Sequence, residues 1–373
     1  MDIRVEKSGF LQALYLTQGV VEKRNTLPIL ANVLIESTST QIQLTATDQE
    51  IGIRKICEGT VSRPGSITVS ARKLYEIVRE LPAEHLTVKS GEGGWVEVVG
   101  GKARYRIVSM DPKEFPSIPA STLVAKKTGV AVTLASGVLE EMIDKTLFAV
   151  STDETRLSLG GVFIESAGKD LIRMAATDGH RLALVEREVA GITVRPGVIL
   201  PRKGLLEAKR LLEGGAGETT FTIGGNLARV EQAGVELFMR LIEGEFPDYR
   251  QVIPKESKRH VRVDREALLG ALRRVSILSS ERSRGVRLRF QPNTLEVLTT
   301  NPDIGEASEE IEVDYGGEEF TVGFNARYLL DVLSFGGLTG AVVEMGLTDE
   351  VSPGVLHSED DQGYTYVVMP MRL

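Results

Sequence analysis

Met174-Ala175-Ala176-Thr177-Asp178 is a short tract running into a polar turn, and it has two counterparts in the chain. Leu44-Thr45-Ala46-Thr47-Asp48 precedes it by 130 residues, and Val297-Leu298-Thr299-Thr300-Asn301 follows it by 123. A strand-like run that stops at Asp or Asn reads as a strand entering a turn. The spacing is that of one ordinary domain, so each tract marks the same point in a repeated unit.

The rest of each unit lines up on this mark. An amphipathic helix comes early, its apolar face carrying Phe10, Ala13, Leu14, Thr17 and Val21 in the first copy. Leu139, Met142, Ile143, Leu147 and Val150 repeat the spacing, as do Leu268, Leu272 and Val275, with Asp264 placed as N-cap. A second helix opens at Ser70-Ala71-Arg72-Lys73, at Pro201-Arg202-Lys203 and at Asn325-Ala326-Arg327. Phe115-Pro116 and Phe246-Pro247 close two of the units. Between the helices lie short alternating runs, such as Trp95-Val96-Glu97-Val98 and Val286-Arg287-Leu288-Arg289-Phe290, separated by Gly-rich turns. The predicted fold is α+β: three repeated domains, each two helices packed on antiparallel sheet. Joins near 122–129 and 254–261 set expected domains at 1–125, 126–257 and 258–373.

A chain of 373 residues is too long for one core, which agrees with several domains. No apolar run is long enough for a membrane span, and the N-terminus lacks a signal-peptide core, so a cytoplasmic location is expected. The single Cys57 excludes an internal disulfide and a cysteine-rich metal site. A net charge of −8 argues against coating nucleic acid by bulk attraction, while leaving room for a locally basic face.

Catalytic motifs are missing. Gly100-Gly101-Lys102 runs into Ala103, and Val96 stands where a phosphate loop needs its first Gly. Neither G-x-S-x-G nor H-E-x-x-H occurs, and His85, His180, His260 and His357 are scattered singly. Thr177-Asp178-Gly179-His180 reads as a turn, and Asp153-Glu154 as a solvated loop. The expectation is a non-enzyme with no cofactor and no metal.

Charge placement is more informative. Arg72, Lys73, Arg79, Lys145, Arg202, Lys203, Lys209, Arg210, Arg265, Arg273 and Arg274 fall on the predicted outward helix faces. One such face is ordinarily just solvated; recurrence in all three repeats points to a joint basic surface for phosphates. Lys102, Arg104 and Arg106 alternate with Ala103, Tyr105 and Ile107 near one end of the chain. Asp303, Glu306, Glu309 and Glu310, with the apolar pair Ile277-Leu278, lie in the third unit. These are either two unrelated surfaces or the halves of a head-to-tail contact that closes a ring. The tail Val367-Val368-Met369-Pro370-Met371-Arg372-Leu373 is either a docked last strand or one wall of a groove for peptides.

Together these residues resemble the bacterial sliding clamp family, the β subunit of DNA polymerase III, over the whole chain. The matches include Thr26-Leu27-Pro28-Ile29-Leu30, Ala176-Thr177-Asp178-Gly179-His180-Arg181-Leu182, Gly244-Glu245-Phe246-Pro247-Asp248-Tyr249-Arg250, Arg284-Gly285-Val286-Arg287-Leu288 and residues 367–373. The resemblance implies a head-to-tail homodimer whose helices line a hole around double-stranded DNA, without catalysis of its own. It implies as partners the DNA polymerase III catalytic subunit, the clamp loader complex and other clamp-binding repair and replication proteins, with no membrane partner. Carried over by motif, a hydrophobic peptide groove between domains 2 and 3 takes Leu159, Thr177, Gly179, His180, Arg181, Leu182, Pro247, Val252, Val367, Val368, Met369, Pro370, Met371 and Arg372. Gln251 and Pro353 depart from the family pattern at its polar edge. DNA contacts fall on Arg24, Arg202 and Lys203, beside the basic pair Arg72 and Lys73, and dimer contacts on Tyr105, Ile107, Ile277 and Leu278. The alternative reading is a DNA-binding protein that holds duplex electrostatically without encircling it.

Overall fold

The computed structural model of the chain describes residues 1–21, 27–118, 130–214 and 216–372. Six α-helices lie among them, two per repeat: α1 (Lys7–Val20), α2 (Ala71–Glu80), α3 (Ser136–Leu147), α4 (Arg202–Leu212), α5 (Arg265–Val275) and α6 (Ala326–Ser334). Local chemistry sets several of their starts. The Asp264 carboxylate accepts from the Ala267 amide at 2.8 Å, as the sequence led one to expect. Ser70 and Asn325 cap α2 and α6 in the same way, from Lys73 and Arg327. The predicted apolar faces of α1, α3 and α5 are buried; Val21 and Val150 lie just past their helix ends. The three tracts form the strands Ile42–Thr47, Leu171–Thr177 and Thr294–Asn301.

The chain packs as two compact units, Met1–Gly137 with Lys203–Leu241, and Val138–Arg202 with Ile242–Leu373. Among the described residues each is built on one sheet, of 13 and 12 strands respectively. The division runs through the middle repeat because strands pair across the repeat junctions. In the first unit Ile51–Cys57 pairs antiparallel with Val235–Arg240, placing Gly52 opposite Phe238. In the second, Arg181–Glu188 pairs antiparallel with Asp361–Val368, placing Leu182 opposite Val367. Of the two expected joins, 122–129 lies outside the described residues. The other is shorter than expected, because the strand Arg259–Asp264 begins inside it.

The first unit buries Ile3, Phe10, Leu14, Leu44, Leu74 and Val98 in one core. Cys57 joins that core, and burial pushes its thiol up to about 11, against a small opposing pull from Lys55.

One charged residue departs from its predicted place. Lys145, expected on the outward face of α3, is 2% exposed. Its ammonium donates to the carbonyls of Gly337 (2.9 Å) and Gly336 (3.3 Å), lies 3.0 Å from Asp361 and sits over the Tyr364 ring. Arg187 bonds the same Asp361 carboxylate at 2.7 Å. Burial alone would raise the Asp361 carboxyl, but the hydrogen bonds and charges of Arg187 and Lys145 hold it below its ordinary value. Helical periodicity placed Lys145 on a face; it did not reveal what that face meets.

Candidate ligand-binding site

The turn after each tract is locked by its own side chains. Thr177 Oγ1 donates to the Arg181 carbonyl (2.6 Å) and accepts from the Gly179 amide (3.0 Å). Asp178 Oδ1 accepts from the amides of His180 (2.9 Å) and Arg181 (3.2 Å). Thr47 and Asp48 make the same four bonds to Ile51, Gln49 and Glu50. At the third copy Asn301 accepts from the Asp303 amide at 3.1 Å. Gly179 has φ of +91°, a conformation that disfavours any side chain. The tail is tied to this turn: the Met369 amide donates to the His180 carbonyl, and the Met371 amide to Gly323, both at 2.8 Å.

A cavity of about 140 Å³ opens beside the second turn. Leu159, Thr177, Gly179, Arg181, Leu182, Pro247, Val252, Val367 and Met369 line it, which brings together nine of the fourteen residues expected in one groove. Its floor is apolar and buried at Leu182 and Val367, while Val252 and Met369 form an exposed rim. Tyr249 and Asp248 complete the wall. Tyr249 was missed because a Tyr after Phe-Pro-Asp carries no signal of direction. Its hydroxyl donates to Glu165 (2.5 Å) and accepts from Arg173 (3.1 Å). Burial and that donation push the phenol up to about 12. Burial also raises the Glu165 carboxyl, but bonds from Tyr249 and Arg250 and the charges of Arg250 and Arg173 outweigh it, and the net shift is down.

The first turn shows why equal backbones need not give equal cavities. Gly52 takes the place of Leu182, and Phe238 that of Val367. A Cβ on Gly52 would lie 2.9 Å from Ile118, which packs there with Phe238.

The other five groove candidates lie apart from this cavity. Val368 is buried in its strand, and Pro370 sits between the two pinned amides. Met371 and Arg372 line a separate cavity with Arg287, Glu350 and Val351. His180 stacks on Tyr328, with ring centroids 6.2 Å apart and planes 14° from parallel, and lines a polar cavity of about 420 Å³. Arg181 borders both the apolar and the polar cavity, yet it is 7% exposed. Its guanidinium bonds Asp178 (3.0 Å), Asp331 (2.7 Å) and the Phe148 carbonyl (2.7 Å), and lies over the Tyr328 ring at 4.6 Å.

The remaining candidates belong partly to the first unit and partly to the second. Arg24 lies outside the described residues. Arg72 and Lys73 project from the first turn of α2 and share Glu76, at 3.0 and 2.8 Å. Arg202 is exposed at the start of α4, whereas Lys203 bonds the buried carboxylate of Asp48. Tyr105 is exposed and Ile107 packs on the first core. Ile277 is 74% exposed and Leu278 half-buried. Glu309, from the acidic stretch, bonds Arg274 at 2.5 Å. No group of three or more His, Cys, Asp or Glu among the described residues is placed to hold a metal ion.

Known proteins account for this arrangement. Family models of the DNA polymerase III beta subunit match in chain order: the N-terminal domain over residues 1–119, the central domain over 133–248 and the C-terminal domain over 250–372. The chain is 38% identical to a beta sliding clamp of Caulobacter vibrioides over 380 residues, and 35% identical to that of Escherichia coli K12 over 374, covering 100% of both chains in each case. Among solved structures, a sliding clamp from Bartonella birtlesii bound to griselimycin superposes with a TM-score of 0.93 at 34% identity, and the Caulobacter crescentus pol III beta with 0.92 at 36%, again over 100% of both chains. The chain belongs to the DNA polymerase III beta subunit family, the bacterial beta sliding clamps.

Proposed function

We infer that this chain is a non-catalytic processivity factor: it encircles duplex DNA as a homodimer and tethers the replicative polymerase. The family assignment over the full length carries this reading. The physics suits it. A protein that neutralised many phosphates would be held in place, since each adds to the counterion term. A closed ring retains DNA by topology, so loose contacts suffice, and a net charge of −8 discourages binding from outside.

The repeat supports a register for ring closure. The strand after each turn receives the last strand of the next repeat, Val235–Arg240 at the first turn and Asp361–Val368 at the second. After the third turn, Gly305–Asp314 pairs fully with Thr294–Asn301 on one side, but on the other only through Val313 and Asp314. The strand Ala103–Met110 is likewise paired with Gly65–Ser70 only at Ser109 and Met110. Phe115 and Phe246 are 131 residues apart, which makes Ile107 the counterpart of Phe238. Ile107 of one copy then falls opposite Gly305 of the other, Arg106 opposite Glu306 and Tyr105 opposite Ala307. Ile277 and Leu278 border this edge.

Three repeats spanning 1–125, 126–257 and 258–373 then contribute to each half of the ring. Arg24, Arg72, Lys73 and Arg202 supply loose phosphate contacts. Lys203 contributes only if it leaves Asp48. The apolar cavity beside Thr177 and Gly179 takes client peptides from the polymerase, the clamp loader complex and repair proteins in the cytoplasm. Its Met-containing rim adapts to different side chains. Removal of residues 369–373 is expected to abolish peptide binding, measured by fluorescence anisotropy, while solution mass stays that of a dimer. Undiminished peptide binding would remove the tail from the site.

A further inference from the structure

The polar cavity beside the apolar one is unlike an ordinary solvated surface. Arg156, Arg181, Arg202, Arg282, Arg284 and Arg327 line it, against two carboxylates, Asp153 and Asp178. Half of the arginines are engaged within the chain: Arg181 as described, Arg156 by Asp153 at 3.6 Å and Arg327 by Asp331 at 3.8 Å. Arg202, Arg282 and Arg284 are exposed and have no carboxylate within ion-pairing distance among the described residues. Arg284 adopts φ of +49°, left-handed backbone that is costly for a residue with a side chain. That conformation is fixed by its amide, which donates to Ser280 (2.7 Å), and by its carbonyl, which accepts from Ala326 (2.8 Å). A cluster of unpaired cations in a concavity, in a chain of net charge −8, is complementary to an anion.

We propose that this cavity receives the carboxylate of an acidic residue in the same peptide whose apolar side chains occupy the neighbouring cavity. The inference rests on reading the apolar cavity as a peptide site. Arg181 forms a wall of both cavities, so a short extended chain leaving one enters the other. Asp153 and Asp178, two carboxylates in the lining, disfavour a run of phosphates inside the cavity, whereas one loose phosphate contact at the exposed Arg202 is compatible with it. The stacked His180–Tyr328 pair, in the lining of the polar cavity, offers a flat surface for a peptide plane. The site then selects peptides that join an apolar anchor to a carboxylate, through arginines suited to two-point recognition of that group.

The test uses fluorescein-labelled, C-terminally amidated octapeptides with a Leu-Leu anchor and three flanking Glu or three flanking Gln, with the flank placed before the anchor in one pair and after it in another. Anisotropy titrations against the full-length protein are expected to give about tenfold tighter binding of the Glu peptide in one of the pairs. In Arg282→Gln/Arg284→Gln that ratio is expected to fall below about twofold, with an unchanged melting curve showing that the variant is folded. Equal affinity of Glu and Gln peptides for the parent protein overturns the inference while leaving the peptide site standing. Binding of neither peptide overturns the peptide site itself. If an oligothymidylate displaces the Gln peptide and loses affinity in the double variant, the cavity serves nucleic-acid phosphate instead, and the inference is wrong.

Discussion

Arg181 offers the sharpest perturbation. Its side chain is buried, and its guanidinium is shared by two carboxylates, a main-chain carbonyl and two aromatic rings, at 4.6 Å from Tyr328 and 5.6 Å from Phe148. Asp178 and Asp331 are themselves only 16% and 13% exposed. In Arg181→Ala both carboxylates lose their partner in a poorly hydrated place, and the ring faces lose their packing. Breaking a buried charge pair from one side costs about 3–5 kcal/mol. Arg181→Lys keeps the charge but concentrates its donors on one nitrogen, which cannot serve three divergent acceptors, so about half of that loss is expected to remain. Equilibrium urea unfolding by circular dichroism, with a fluorescent probe in the second unit because two units need not melt together, measures the change. Anisotropy with a client peptide is the companion readout. Because Arg181 fixes Asp178, and Asp178 fixes the turn holding Thr177 and Gly179, Arg181→Lys is expected to weaken the peptide as well. A loss under about 1 kcal/mol for Arg181→Ala, or wild-type stability for Arg181→Lys, would refute the view that this arginine organises the site.

Three further outcomes follow from the same geometry. Arg106→Glu is expected to give monomers in sedimentation and Glu306→Arg to restore the dimer when combined with it; a dimer unaffected by Arg106→Glu contradicts the proposed register. Cys57, with its thiol near 11, has a thiolate fraction of about one in a thousand at pH 8. It should therefore resist Ellman's reagent in the native protein and react in urea, whereas rapid native labelling would contradict its burial. Glu165 and Asp361 both have folded carboxyls held below their ordinary values. The unfolded chain binds more protons between the two values, so their stabilisation is complete above the ordinary carboxylate range of about 4 and is lost as pH falls through the folded values. Glu165→Gln is expected to flatten the acid slope of the urea midpoint, and an unaltered slope would assign acid sensitivity elsewhere.

Much of the architecture could be read from residues because the repeat is written in local chemistry. Thr47-Asp48 and Thr177-Asp178 close their own turns, Asp264 caps its own helix, and alternating apolar residues choose one face of a strand. What escaped was set by distant neighbours. Lys145 looked solvated until Gly336, Gly337 and Asp361 arrived from about 190 to 216 positions along the chain. Lys203 looked ready for phosphate, but Asp48 of the first repeat already holds it. Asp248 and Tyr249 became walls of the cavity only once Glu165 and Arg173 fixed the ring. The apolar floor at Leu182 and Val367 was legible. The cluster of arginines beside it was not, since Arg156, Arg202, Arg282 and Arg327 are brought together only by tertiary structure.

The account stands on retention by enclosure. Fluorescently labelled protein loaded on a nicked circular plasmid is passed through a gel-filtration column in high salt, before and after a single restriction cut. Co-elution with the circle and release from the cut molecule is the predicted result. Loss to the same extent from circular and linear DNA would mean that charge, and not a closed ring, holds this protein on its template.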